Sequence, residues 1–159
     1  MRIRILAIGK IKESYLKAAI ADYEKRLKPY LKLEILEGSE EDASERLSEA
    51  EKQQVIAKEG RYFLAKMKDG EYHIALDLTG KNITSPELAH IIAEKGMMEG
   101  KTINFIIGGS LGISDEVKKK CHLQIAFGKA TFPHQLIRLF LTEQIYRSMK
   151  IIKNEPYHK

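Results

Sequence analysis

Three short loops carry glycine where a ligand could meet the backbone: residues 76–80, 108–112 and 127–132. A glycine there reaches positive φ and lets main chain approach a bound group closely. None of the loops holds a G-x-x-x-x-G-K-[ST] phosphate cradle or a G-x-G-x-x-G fingerprint, so ATP hydrolysis and NAD binding lose support. A small molecule gripped by backbone groups, without a phosphate anchor, fits better. Each loop taken singly is also compatible with an ordinary tight turn. The second group with chemical capacity is Tyr157, His158 and Lys159 at the end of the chain. Tyr157 offers a face to stack on a base, His158 a site for a proton or a polar base edge, and Lys159 a charge for phosphate. The plainer reading of such a tail is that it frays.

Other candidates weaken on inspection. His73, His90, His122, His134 and His158 have no metal-ligand spacing, and the single Cys121 cannot build a zinc site, so no metal is expected. Cys121 reads as a small buried or half-buried residue. Ser110 lacks the G-x-S-x-G elbow of a hydrolase. Glu40 and Glu41 read as solvated charge rather than a glycosidase pair.

Hydrophobic periodicity supplies the elements that must position these groups. Strands are expected near residues 2–8, 31–35, 73–77, 103–107 and 123–127. Between them, helices are expected from Ser14, read as the cap, to Leu27, with Tyr15, Ala18, Ala19, Asp22, Tyr23 and Leu27 at helical spacing, and over 47–67, with Val55, Ile56, Phe63, Leu64 and Met67 inward. A third starts at Ser85, as cap, with Pro86 at its first position, and carries Leu88, Ile91, Ile92 and Met98 on one face. A short fourth starts at Ser114. The last runs from Pro133 to about Ile152, with an apolar surface wide enough for burial on two sides, a core and a subunit interface. Thr79, Gly80 and Lys81 read as a loop after the third strand. Strands alternating with helices predict an α/β fold, a mainly parallel sheet with helices on both faces, in a single domain over 1–159. In such sheets ligands bind at the carboxyl ends of the strands.

Composition bounds the setting. The chain has 159 residues, 43% hydrophobic and 31% charged, which excludes a disordered or collagen-like chain. No apolar run approaches the ~20 residues of a membrane helix, and the amino terminus is too short and charged for a signal peptide. One cysteine fits a reducing, cytoplasmic location. The net charge of +5 is uneven: residues 1–36 hold 9 basic and 4 acidic side chains, 37–51 hold 1 and 7, and 101–159 hold 10 and 4. This predicts one basic face built from both ends, open to a nucleic-acid partner, with the acidic segment elsewhere.

Five stretches together resemble one family: ILAIGK at 5–10 with Lys12 and Glu13, FIIGGSL at 105–111, FGKATFPHQ at 127–135, EQIYR at 143–147 and EPYHK at 155–159. The chain resembles the bacterial ribosomal large-subunit methyltransferase H family of the SPOUT superfamily over essentially its whole length. The resemblance implies a C-terminal trefoil knot, which general fold priors would not suggest. It implies S-adenosylmethionine as methyl donor, held by Leu76, Gly80, Gly108, Phe127, Gly128, Lys129, Ala130, Thr131 and Phe132. It implies a homodimer in which one subunit's tail completes the other's site. The implied reaction is N3 methylation of a pseudouridine in 23S rRNA on the assembled ribosome, with no separate RNA-binding domain and the basic ends facing the ribosome. His158, Tyr157 and Arg147 are then the catalytic candidates, with His158 as base and Arg147 stabilising negative charge on the target carbonyls. Gly128 stands where such proteins usually carry Ser, which removes a hydroxyl from the pocket but keeps its backbone. Two other classes compete: a non-catalytic α/β nucleotide- or RNA-binding ribosome assembly factor, and a dimeric scaffold whose glycine loops are structural.

Overall fold

β1 (Arg2–Ile8) is buried at every position after Arg2, the mark of a strand covered on both faces. It lies between β2 (Lys32–Gly38) and β4 (Ile103–Ile107); the computed structural model, which describes residues 1–158, completes the sheet with β3 (Tyr72–Asn82) and β5 (Leu123–Ala126). The order is β2-β1-β4-β3-β5, and every pairing is parallel. Alternate residues divide the core. Ile3, Ile5, Ala7, Ile74 and Phe105 pack under α1 (Ser14–Leu27), α3 (Ser85–Ile91) and α5 (His134–Ile152). Leu6, Ile8, Ala75 and Ile106 pack under α2 (Glu49–Lys66) and α4 (Asp115–Lys120). The expected parallel sheet with helices on both faces is therefore present. β2, with its mixed pattern, stands at one edge.

Local chemistry sets the ends. Ser48 and Glu51 form a reciprocal capping box at α2. Thr84 and Glu87 do the same at α3, so the cap is Thr84 rather than Ser85, and Pro86 is the second helical residue rather than the first. Glu13, not Ser14, precedes α1, and no side chain caps it. The inward face of α1 also differs from expectation. Leu16, Ile20 and Leu27 are buried, while Tyr15, Ala18 and Asp22 face solvent. Leu16 and Ile20 bury more apolar area than the competing stripe, so they take the core. After α3 the chain continues as a π-helical segment, Ile92–Met98. Its wider turn breaks the 3.6-residue register, so Ile92 is buried but Met98 is 81% exposed instead of lining the face.

The largest departure is in β3. Residues 79–81 do not form a loop after the strand. Leu76 and Lys81 both pair with Ile125, and the four residues between them bulge out of the ladder before pairing resumes. Gly80 sits where the strands nearly touch: a Cβ there would lie 2.6 Å from both Gln124 C and Ile125 N. Among the described residues, no helix is long and apolar enough to cross a membrane.

Gly80→Ala must force backbone from backbone. We expect a loss of about 1–3 kcal/mol, measured as a lower urea midpoint with an unchanged m-value.

Candidate functional site

β4, β3 and β5 are neighbours in the sheet, so their three following loops converge at one end. They enclose a cleft of about 670 Å³, within the range of small-molecule sites. Its walls include Leu76, Asp77 and Leu78 from the β3 bulge, residues 108–113 after β4, and Phe127, Gly128, Ala130, Thr131 and Phe132 after β5. Pro133, His134 and Ile137 at the start of α5 close it. Of the nine residues that the resemblance assigns to the cofactor, seven line this cleft. Gly80 and Lys129 do not: Gly80 packs on β5 behind it, and Lys129 is exposed beside it.

The walls suit a ligand held by main chain. Gly128 has φ of 106°, a conformation that side chains other than glycine's rarely adopt. A Cβ on Gly108 would lie 2.7 Å from the Gly112 carbonyl, so the glycine loop folds back on itself without side chains. Lys118 pairs with Asp77 across the floor. Burial opposes charge on Asp77, but hydrogen bonds from Lys118 and Thr79 hold its carboxyl below the usual range. Leu78 (52% exposed) and Phe132 (36%) leave apolar surface at the mouth.

The catalytic candidates lie elsewhere. Arg147 follows His134 by 13 residues on α5, which is roughly 20 Å along the axis at ~1.5 Å per residue. Arg147 donates to Glu143 Oε1 from Nε and Nη2 at 3.0 and 2.6 Å. Tyr157 donates to the same oxygen at 3.0 Å. Its ring stands edge-on to Tyr146 at 4.9 Å, and the Arg147 guanidinium lies 4.7 Å from its centroid. Glu155 accepts from Tyr30 and from Lys150, both at 2.6 Å. The tail is therefore tied to α5 and α1 through Tyr157, not frayed, while Pro156 and His158 are exposed. Burial, with hydrogen bonds to Tyr23 and Glu143, keeps the Tyr157 hydroxyl well above its usual range, so it stays protonated. The hydrogen bonds it donates to Glu143 keep Arg147 cationic. Lys159 lies outside the described residues.

Sequence reasoning missed the residue that locks α5. Arg138 is 1% exposed. It donates to Glu37 from Nη1 at 2.5 Å and from Nη2 to the Gly9 and Ile8 carbonyls at 2.9 and 3.3 Å. A charged residue in an apolar helix reads as an outward one, and nothing in the spacing signals otherwise. The acidic segment was misjudged for a related reason. It does not lie apart from the basic ends: Glu37 holds Arg138, and Glu40 reaches Ser110 Oγ (3.4 Å) and His134 Nε2 (3.6 Å). Nor is Glu41 merely solvated, since it pairs with Lys58 at 2.8 Å. Parallel pairing of β1 with β2 brings Gly38 alongside Ile8, and this folds the segment against the cleft. Cys121 is half-buried as expected, and burial pushes its thiol up to about 11, which leaves it inert. Among the described residues, no group of three or more His, Cys, Asp or Glu side chains is placed to hold a metal ion.

Arg138→Ala removes the buried partner of an ion pair whose carboxylate reaches solvent, and strips two carbonyls of their donor. We expect a loss of about 2–4 kcal/mol by urea denaturation, with a smaller loss for Arg138→Lys.

A family model described as "Predicted SPOUT methyltransferase" matches residues 1–158. A Carboxydothermus hydrogenoformans protein named ribosomal RNA large subunit methyltransferase H is 54% identical over all of both chains. Proteins of the same name from Alkaliphilus oremlandii and Enterococcus faecalis are 52% and 48% identical, again over all of both chains. Among solved structures, a probable methyltransferase from Bordetella pertussis superposes with a TM-score of 0.60 at 10% identity, covering 93% of this chain and 94% of that one. At that identity the likeness concerns the fold alone. The chain belongs to the SPOUT methyltransferase family, alongside relatives named ribosomal RNA large subunit methyltransferase H.

Proposed function

We propose that this protein transfers a methyl group from S-adenosylmethionine to N3 of a pseudouridine in 23S rRNA on the assembled ribosome, and that it works as a cytoplasmic homodimer. The observation that carries the reading is the glycine-walled cleft at the carboxyl ends of β4, β3 and β5, in a chain alike from end to end to proteins named ribosomal RNA large subunit methyltransferase H.

The cleft fits the proposed donor in its size, apolar mouth and main-chain walls. Leu76, Gly108 and the segment from Phe127 to Phe132 would hold it; Lys129 and Gly80 would act through loop shape. When bound, it supplies an electrophilic methyl on a positively charged sulfur. The chain's own task is then mainly positioning. His158, exposed at the end of an anchored tail, takes the N3 proton of the target. Arg147, kept cationic by Glu143, faces negative charge developing on the base carbonyls. Tyr157, kept protonated, offers a stacking face and a hydroxyl donor.

Cleft and tail cluster stand roughly 20 Å apart along α5, so one chain does not bring them together. A homodimer with one subunit's tail at the other's cleft resolves this, and the exposed Phe132 and Phe140, edge-on at 5.3 Å, give it apolar surface. The C-terminal trefoil knot belongs to the same reading: the β3 bulge and the close passage of Gly80 over β5 are the kind of crossing it requires.

The test is transfer of tritiated methyl to intact ribosomes lacking the modification, beside free 23S rRNA. Labelling of ribosomes at the pseudouridine, with little on free RNA, is expected. His158→Ala should slow single-turnover transfer by about 10²-fold or more. No labelling of either substrate would favour a non-catalytic factor, and equal labelling would remove the ribosome requirement.

A further inference from the structure

Behind the Gly109–Ser110 loop that walls the cleft stand two carboxylates that the roles assigned so far leave unused. Glu59, on α2, is 4% exposed. Its Oε1 accepts from the Glu41 N–H at 3.3 Å, while Oε2 is buried with no hydrogen-bond partner among the described residues. These oxygens stand 3.1 and 2.9 Å from where a Cβ on Gly109 would be. Glu40 approaches from the other side, bonded to Ser110 Oγ and near His134 Nε2. Gly109, Ser110 and His134 all line the cleft. Only one residue's thickness of loop therefore separates the two carboxylates from a ligand.

Fixed cations nearby are already engaged. Lys58 pairs with Glu41, Arg138 with Glu37 and Lys118 with Asp77. A buried carboxylate oxygen with no partner is costly, and such an exception in a native fold calls for an explanation. Burial holds the Glu59 carboxyl above its usual range; the main-chain N–H groups of Glu41 and Gly109 oppose it only in part, and repulsion from Glu40 and Glu41 adds to it. A positive charge entering the cleft would relieve all of this, and the partly dry wall strengthens the attraction.

We propose that Glu59 and Glu40 are specificity-determining residues that favour a positively charged ligand in the cleft, the sulfonium of S-adenosylmethionine over the neutral thioether of S-adenosylhomocysteine. This rests on the cofactor reading above. Transfer breaks the S–CH3 bond, forms the N3–CH3 bond and passes the N3 proton to the base. The sulfur thereby loses its charge, and the acidic wall loses its hold on the product.

The experiment is calorimetry of the full chain with each ligand, for wild type, Glu59→Gln and Glu40→Gln. Each substitution keeps the side chain's size and removes its charge. Wild type should prefer S-adenosylmethionine. Each variant should lose about tenfold in affinity for it, the order expected of one charge across a partly dry wall, and less than about twofold for S-adenosylhomocysteine. Glu40, at the surface side of the wall, keeps the test open if Glu59→Gln folds poorly. Equal losses for both ligands, or an unchanged ratio, would overturn the inference while leaving the cofactor reading intact. Failure of wild type to bind either ligand would overturn both.

Discussion

A buried guanidinium holds the two ends of this chain together. Arg138 lies on the C-terminal helix, yet its partners are Glu37 on β2 and the main chain at the end of β1. Those carbonyls belong to the last residue of β1 and the one after it. The guanidinium satisfies both of them and a carboxylate at once, as its planar fork allows. This fixes the first turns of α5, and with them His134 and Ile137, which close the cleft. α5 then acts as a ruler. Its far end carries Glu143, Tyr146 and Arg147, on which the tail is pinned. The distance between cleft and tail follows from a helix whose starting point Arg138 sets.

The second constraint is main-chain contact without side chains. β3 meets β5, leaves it for four residues and meets it again, and only glycine at position 80 allows the return. The bulge between carries Asp77 and Leu78 into the cleft wall. Gly108 and Gly128 do the same for the other two loops. The site is thus built largely from backbone that side chains would obstruct, with Asp77 and Lys118 as a paired charge in its lining. That arrangement suits a chemistry in which positioning supplies most of the rate.

Much of this was legible in the sequence, for identifiable reasons. The strands were readable because buried β-branched runs such as those at 3–8 and 103–107 have few other uses. The three glycine loops were readable because positive φ and close approach leave a mark in composition. What failed did so where tertiary packing chose between similar local options. α1 offers two apolar stripes, and packing took Leu16 and Ile20 over Tyr15 and Ala18. Met98 left its face because a π-helical turn shifts the register, which periodicity at 3.6 residues cannot foresee. Arg138 and Glu59 were passed over because charge in sequence reads as surface, and here tertiary packing buries both. Tyr157 and His158 were legible as a tail with chemical capacity and Arg147 came from the family resemblance, but their separation from the cleft became visible only in three dimensions.

That separation makes the partner subunit the central claim, and subunit complementation tests it directly. Two differently tagged chains would be co-expressed, one with its cleft filled by Ala130→Trp and one with its tail disabled by His158→Ala. Each alone should be inactive on ribosomes. If one subunit's tail serves the other's cleft, half of the dimers pair the two chains and each of these has one intact site. Methyl transfer should then return to about a quarter of the wild-type level. Activity no greater than the sum of the two parents would contradict the account and place cleft and tail chemistry within a single chain.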